Sequence, residues 1–310
     1  MSYVNHARTF AGYPVVEWEL EDDPFAAGVN VAVTVRNDWG DDGEGVEDTW
    51  ITKFNTLLEY KQTEQIPALI VGMWHYEKTV SYVVEALVEQ RARFPKLKAL
   101  FVGDITSDEN EISWIQQGDL SPLWDAFPNL EYLTIRGGNG LDLEPIKLPK
   151  LKSLRIESGG LGAEVVRSIG EADLPELESL VLWLGAERYG ATSTIATLER
   201  FYDCAEMPKL KYLGLCDSDI QDAIAEFMAT APVLQRLDVL DLSLGMLTDE
   251  GALALLTSPY LRHLKKLDLH HHFCSDAMVA KLDELAQSGI EVDTSEPQTE
   301  RDWRFVAVGE

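Results

Sequence analysis

The chain has 310 residues, and 45% of them are hydrophobic, as in an ordinary soluble globular protein. It carries 53 acidic and 26 basic residues, which gives a formal net charge of -27. This balance opposes binding to nucleic acid and to anionic membranes, because both are bound mainly through Lys and Arg. We interpret the charge as a solubility feature, with a basic partner as the alternative.

Cysteine usage and hydropathy bear on the compartment. Cys204, Cys216 and Cys274 form no Cys-x-x-Cys pair, so no disulfide framework is expected. The opening residues contain no apolar signal-peptide core, and no window is long and apolar enough to span a membrane. These features predict a cytoplasmic protein.

Residues 1–65 precede the repetitive part of the chain. Residues 15–20 and 29–35 alternate apolar and polar side chains, which predicts two half-buried strands. Residues 38–48 are acidic and rich in glycine. An EF-hand calcium loop beginning at Asp38 would need an oxygen ligand where Gly40 stands, so we interpret the stretch as a solvated loop. A helix is predicted over 49–61.

A repeated frame, Leu-x-x-Leu-x-(aliphatic), dominates the rest of the chain. It occurs seven times, and in five cases a proline stands two residues ahead. The matches are Leu97/Leu100/Val102, Leu130/Leu133/Ile135, Leu151/Leu154/Ile156, Leu177/Leu180/Leu182, Leu210/Leu213/Leu215, Leu237/Leu240/Leu242 and Leu264/Leu267/Leu269. Their spacings of 21 to 33 residues overlap the period of about 20–29 that is typical of leucine-rich repeats.

The frame predicts the fold. Leucines at period 2 point inward from a short strand, and stacked repeats share the core that one repeat cannot form alone. Helical patterns follow most strands, which predicts right-handed strand–loop–helix units. We therefore expect an α/β leucine-rich-repeat solenoid, a horseshoe with a concave parallel β-sheet and convex helices. The array would cover 66–294, with an N-terminal cap at 1–65 and a capping tail at 295–310.

Residues that alternate with the frame leucines would face the concave surface of this solenoid. The columns contain aromatic, arginine and acidic side chains, types that are suited to binding a protein or peptide. The predicted binding residues are Tyr132, Arg136, Arg155, Glu157, Trp183, Tyr212, Asp241, Asp268 and His270. The alternative is that the aromatic residues fill space between neighbouring repeats.

Two groups of residues on this surface could instead form a metal site or a catalytic triad. His270 would lie near Asp241, Asp268 and Cys216, which are possible metal ligands. Ser243 beside His270 and Asp268 has the residue types of a catalytic triad, but no Gly-x-Ser-x-Gly surrounds it. No phosphate-binding loop or dinucleotide fingerprint is present. The sequence therefore favours a non-catalytic protein without metal or cofactor, with an enzyme that uses Asp241, Asp268 and His270 as the alternative.

The repeats resemble the leucine-rich-repeat superfamily over 66–294. Residues 10–18 (FAGYPVVEW) and 304–310 (RFVAVGE) are similar to the opening and closing segments of a bacterial family of cytoplasmic leucine-rich-repeat proteins. That family has no assigned function, and its genes tend to lie beside radical-SAM, ATP-grasp and sulfatase-like genes. The resemblance implies a soluble, non-secreted protein that is an accessory in a modification pathway, and it assigns no catalytic residue.

Overall fold

The computed structural model describes residues 4–37, 49–144, 146–287, 289–299 and 303–309. Its packing divides the chain into two compact units, within residues 1–154 (the first unit) and 155–309 (the second unit). The acidic stretch 38–48 lies outside the described residues, so its interpretation as a loop stays a prediction.

The first unit contains six strands and three α-helices among its described residues. The strands are β1 (Thr9–Phe10), β2 (Tyr13–Val16), β3 (Ala32–Val35), β4 (Ala68–Gly72), β5 (Ala99–Asp104) and β6 (Tyr132–Arg136). The helices are α1 (Thr49–Glu59), α2 (Ser81–Glu89) and α3 (Pro122–Ala126), with 3-10 turns at Lys61–Gln65 and Arg91–Arg93. A further strand, β7 (Ser153–Glu157), contains the point at which the two units divide.

The second unit continues with strands and helices in alternation. Its strands are β8 (Ser179–Gly185), β9 (Tyr212–Ser218), β10 (Val239–Asp241), β11 (Lys266–Asp268) and β12 (Glu291–Asp293). Its α-helices are α4 (Ala163–Glu171), α5 (Gln221–Ala229), α6 (Asp249–Leu256) and α7 (Asp276–Ala286). The 3-10 helices are Glu187–Tyr189, Ile195–Phe201, Pro232–Gln235 and Leu261–His263.

In each unit the strands are ordered as they occur in the chain. From β2 to β6, and from β8 to β12, each strand pairs in parallel with the next one. The exception is β1, which pairs with β2 in antiparallel fashion and forms a tight hairpin. The predicted mixed α/β architecture with a mostly parallel sheet is confirmed, and its sequential order is consistent with a solenoid.

The repeated frame forms the core. All leucine and aliphatic positions of the seven frames are buried, and none of these side chains is more than 3% exposed. Equivalent positions lie side by side, as in the pairs Leu100–Leu133 and Leu180–Leu213. Because each fully buried leucine contributes about 1.5–3 kcal/mol, this stacked core stabilises the strands far more than local preferences do.

The helices differ in how their first turns are capped. Thr248 and Ser275 cap α6 and α7, and their hydroxyls accept the backbone N–H groups of Glu250 and Met278. Ser121 precedes Pro122 at the start of α3 but makes no capping hydrogen bond. The helical pattern around Leu198 forms a 3-10 helix rather than an α-helix.

A left-handed residue recurs at one position of the frame, at or just beyond the end of several strands. Two residues after the last aliphatic position stand Gly137, Asp217, Leu244 and His271, with φ of 98°, 55°, 67° and 57°. Non-glycine residues adopt this conformation at a cost of about 1 kcal/mol or more. The same bend therefore turns the chain off its strand in both units.

Segments at both ends of the chain pack onto their own unit. In the first unit, β1 and β2 lie over an apolar cluster on β3, β4 and β5. In the second unit, Ala307 donates to the carbonyl of Leu244, and Val308 donates to the side chain of Asp217. Whether residues 1–65 and 295–310 act as caps stays a prediction. Within the described ranges, no helix combines the length and apolarity needed to cross a membrane.

Candidate functional site

The parallel register of β9 to β12 places polar side chains in rows across the second unit. Asp241 is paired with Asp268, and Asp268 is paired with Asp293. Because alternate residues of a strand point to opposite faces, this row lies opposite the leucine core. We call the following set the acidic row: Tyr212, Asp241, Lys266, Asp268, His270, Glu291 and Asp293.

Asp241 is a hydrogen-bonding centre within this row. Its carboxylate accepts the Tyr212 hydroxyl at 2.6 Å, the Ser243 hydroxyl at 2.6 Å and the Ser243 amide at 3.1 Å. Burial, reinforced by Asp241, raises the pKa of the Tyr212 hydroxyl well above its usual value. Asp241 therefore fixes the orientation of a neutral tyrosine at the edge of the acidic row.

These contacts change the sequence-based view of Ser243. The sequence grouped Ser243 with His270 and Asp268 as the residue types of a triad. In the structure the Ser243 hydroxyl is directed at Asp241, and the residue is only 1% exposed. A buried serine that donates to a carboxylate is not activated as a nucleophile by a histidine base.

His270 and Asp268 form a close ionic pair. His270 Nδ1 lies 2.6 Å from Asp268 Oδ1, and the His270 amide also donates to this oxygen. The hydrogen bond to Asp268 raises the pKa of His270 despite partial burial. Burial alone would raise the pKa of Asp268, but His270 and Lys266 hold it below its usual value. Both shifts therefore favour the charged forms of the pair.

A possible metal-binding group includes one residue that the sequence interpretation missed. Ligand atoms of Asp268, His270 and Asp293 lie within 4.8 Å of one another. The expected ligand Cys216 is instead fully buried, its thiol contacts the Asp241 carbonyl at 3.6 Å, and burial raises its pKa. Residues 289–293 follow a helical pattern, as a further repeat strand would. The register of such a strand would have revealed Asp293, because this residue pairs with Asp268 on the neighbouring strand.

Lys266 competes with any ion at this group. Its ammonium lies 3.1 Å from Asp268 and 3.9 Å from Asp293, and it also contacts Glu291 at 3.4 Å. A divalent ion would have to displace this ammonium and deprotonate His270. The carboxylates and imidazole fit a metal in type, but their present contacts satisfy them with protein cations.

Three further predicted residues form a stacked group in the second unit. Arg155 Nε lies 2.5 Å from Glu157 Oε1, and the guanidinium lies 5.2 Å from the centre of the Trp183 ring. Trp183 is only 4% exposed and Glu157 6% exposed, whereas Arg155 reaches solvent. Trp183 was expected as an exposed aromatic anchor. The structure makes it a buried support for Arg155.

The first unit departs further from the expected open surface. Tyr132 packs against an apolar cluster that includes Ile70 and Phe101, together with Phe10 of the β1–β2 hairpin. The Phe10 and Phe101 rings lie 5.7 Å apart. Here the face opposite the leucine core is covered, because β4 and β5 carry apolar residues on both faces.

Arg136 is likewise committed to internal contacts. It is 4% exposed, and its guanidinium donates to the carbonyls of Ile105 and Asn5. It also lies 3.6 Å from the Asp104 carboxylate and 5.2 Å from the centre of the Phe101 ring. The sequence placed Arg136 on the binding surface, but the structure uses it to hold the N-terminal segment on the sheet.

No protein-family model matches the chain, and no curated protein matches it. A solved structure from Bacteroides fragilis, a structural-genomics target, is 34% identical, with a TM-score of 0.81 over 90% of this chain and 78% of that one. An internalin from Listeria monocytogenes is 15% identical, with a TM-score of 0.44 over 89% of this chain and 77% of that one. The internalin likeness is too low to carry an argument.

Successive parallel strands joined through helices define a mixed α/β protein built of repeated units. The chain belongs to the family represented by the Bacteroides fragilis protein. Membership in the family with radical-SAM and ATP-grasp gene neighbours stays a prediction.

Proposed function

We propose that the protein is a non-catalytic scaffold that binds a protein or peptide through the acidic row of the second unit. The observation that carries the proposal is the alignment of Asp241, Asp268 and Asp293 on three adjacent strands. Tyr212 adds an aromatic side chain fixed by Asp241. A regular ladder of carboxylates beside an aromatic ring suits a segment that presents basic side chains at a similar spacing.

Charge supports this choice of partner. The acidic row contains Asp241, Asp268, Asp293 and Glu291 but only two basic side chains, Lys266 and His270. The whole chain carries a net charge of -27, so its field attracts cationic partners and accelerates their association. We therefore expect binding that weakens as ionic strength rises.

The test is binding of defined peptides, followed by fluorescence anisotropy. Peptides of equal length that are rich in Lys and Arg, neutral or acidic serve as probes. We expect the basic peptides alone to bind, and the double variant Asp293→Asn/Glu291→Gln to bind them about tenfold more weakly. Glu226→Gln, an exposed site on α5, is the matched control and should bind as the wild type does. Equal binding of all peptides, or no loss in the double variant, would refute the proposal.

A finer proposal places this scaffold in a bacterial cytoplasmic modification pathway, with the predicted concave face of a leucine-rich-repeat solenoid as its binding surface. The terminal segments 10–18 and 304–310 support it by their resemblance alone. Co-purification with the products of neighbouring genes tests it. Failure to recover any of these products from cells that express them would contradict the accessory role without affecting the peptide-binding proposal.

A metal-dependent function is the second candidate, because Asp268, His270 and Asp293 bring their ligand atoms within 4.8 Å. Isothermal titration with zinc tests it in the wild type and in Lys266→Met, which removes the competing ammonium. Stoichiometric binding that tightens in Lys266→Met would support a metal site. Absence of heat in both proteins would eliminate it.

A further inference from the structure

A pocket in the first unit lies at the amino ends of its parallel strands. Its volume is about 510 Å³, and it is lined by Lys96, Lys98, Lys150, Glu131 and Asn129, among others. Three ammonium groups therefore surround one pocket in a chain that has twice as many acidic as basic residues.

The repeat frame explains how these lysines come together. Lys96, Asn129 and Lys150 occupy the position after the frame proline in three successive repeats. Lys98, Glu131 and Lys152 occupy the position before the strand in the same repeats, and they form a second row. Stacking of the repeats brings the members of each row close together.

The second row is partly neutralised by Glu131. One oxygen of its carboxylate lies 2.7 Å from Lys98 Nζ, and the other lies 2.6 Å from Lys152 Nζ. The hydrogen bonds from Lys152 and Lys98 lower the pKa of Glu131, so it is ionised. Both oxygens of the single carboxylate are therefore engaged by ammonium groups.

The first row contains no carboxylate. Lys150 Nζ donates to the amide oxygen of Asn129 at 2.6 Å. Within the described part of the chain, neither Lys96 nor Lys150 has an acidic side chain within ion-pair distance. These two ammonium groups therefore form no ion pair with the described residues and remain available to a ligand.

The second unit offers an internal comparison at the same frame positions. There Lys209 is paired with Glu176 at 2.6 Å, and Lys265 is paired with Asp238 at 2.9 Å. Glu176 supplies a carboxylate at the first-row position of the second unit, whereas Lys211, in the second row, donates to the carbonyl of Arg236. The excess of positive charge is thus a feature of the first unit and does not follow from the repeat frame.

We propose that this pocket binds a small polyvalent anion, a molecule with two or more phosphate or carboxylate groups. Lysine ammonium groups are effective point charges for such groups. The volume lies within the usual range of about 300–1,000 Å³ for small-molecule sites. A nucleic acid strand is a poor alternative, because its phosphates would also meet the acidic remainder of the surface.

Isothermal titration with pyrophosphate and with citrate tests the proposal on the full-length protein. We expect at least one of them to bind, and the double variant Lys96→Met/Lys150→Met to bind about tenfold more weakly. Binding of pyrophosphate alone would identify a phosphate ligand, and binding of citrate alone a carboxylate ligand. Binding of both would show recognition by charge. Lys209→Met, in the second unit, is the matched control and should bind as the wild type does.

A second variant separates a binding site from a structural cluster. Glu131→Gln removes the competing carboxylate and frees Lys98, so binding should tighten severalfold. A purely structural cluster would show only a change in the melting temperature. The proposal is overturned if neither anion binds at concentrations up to about 10 mM, or if the double variant binds as tightly as the wild type while its melting curve is unchanged.

Discussion

Asp104 and Asp217 occupy the same position of the repeat frame, one in each unit, and both are fully buried. Asp104 lies 2.9 Å from Arg36, 3.6 Å from Arg136 and 3.4 Å from His6. Asp217 instead accepts the backbone N–H of Val308 at 2.9 Å. The two carboxyls therefore have equal burial but opposite electrostatic surroundings.

The difference appears in their ionisation. Burial alone would raise the pKa of Asp104, but His6, Arg136 and Arg36 lower it below its usual value. For Asp217, burial prevails over the backbone N–H groups and raises the pKa well above that value. The comparison shows that cationic partners, rather than depth, decide whether a buried carboxyl at this position is charged.

The largest expected effect comes from removing the charge at Asp104. Asp104→Asn removes the buried carboxylate shared by Arg36 and Arg136 and leaves Arg36 the longer contacts with Glu17 and Glu109, at 3.4 and 4.0 Å. We therefore expect a loss of about 3–5 kcal/mol in the free energy of unfolding. Asp217→Asn keeps an acceptor for Val308 and should not destabilise the protein at neutral pH. Urea denaturation of both variants measures the contrast. Similar losses of stability in the two variants would contradict the predicted contrast.

A core substitution on the strand of Asp217 gives a loss of stability with which the effect of Asp217→Asn can be compared. Leu213 and Asp217 both lie on β9 and are 0% exposed. Leu213→Ala removes stacked apolar contacts and leaves a cavity, so it should cost about 2–5 kcal/mol. Thermal unfolding followed by circular dichroism should show a clearly lower melting temperature than in Asp217→Asn. An unchanged melting curve would contradict the assigned register.

The two carboxyls should also give opposite dependences of stability on pH. The pKa of Asp217 is raised on folding. Its contribution to the free energy of unfolding is therefore complete below about pH 3.9 and is lost as the pH rises through the folded-state pKa. Because the pKa of Asp104 is lowered, its contribution is present above about pH 3.9 and is lost as pH falls through the folded-state value.

The corresponding measurement compares the wild type with each asparagine variant from about pH 4 to pH 8. The stability of the wild type relative to Asp217→Asn should decrease with rising pH. Relative to Asp104→Asn it should decrease as the pH falls. Parallel slopes in the two comparisons would show that the environments do not differ as described.

The smallest effect concerns His270, which is partly exposed and faces Asp268, Asp241, Asp293 and Lys266. Its raised pKa means that its contribution is complete below about pH 6.5 and is lost as pH rises through the folded-state value. We expect the pair of His270 with Asp268 to contribute less than about 1 kcal/mol to the free energy of unfolding, since partly exposed pairs are screened by solvent. NMR titration should show the imidazole pKa falling in Asp268→Asn. An unchanged titration would argue against the pair.

Much of the fold was predictable because apolar periodicity determines it. The frame leucines gave the strands from β5 to β11, and the strand β12 followed from Val292 after α7. The cover formed by the β1–β2 hairpin was missed, although one signal was present. Residues 68–71 and 99–102 are apolar at every position, which is typical of a strand buried on both faces.

The candidate site was less predictable because its contacts depend on side chains that are distant in sequence. The frame assigned Arg136 and Trp183 to a surface column, but Asn5, Ile105 and Arg155 determine what these side chains contact. Alternation along a strand predicts which face a residue is on. It does not predict whether another segment covers that face.

The recurrent left-handed bend at Gly137, Asp217, Leu244 and His271 has a consequence for how such a chain tolerates change in length. The path from the first frame leucine to this bend has a constant number of residues, whereas the return path through the helices absorbs all the variation in spacing. Added residues should therefore be accommodated between bend and helix, while a single insertion between leucine and bend would turn the side chains after it to the opposite face of that strand.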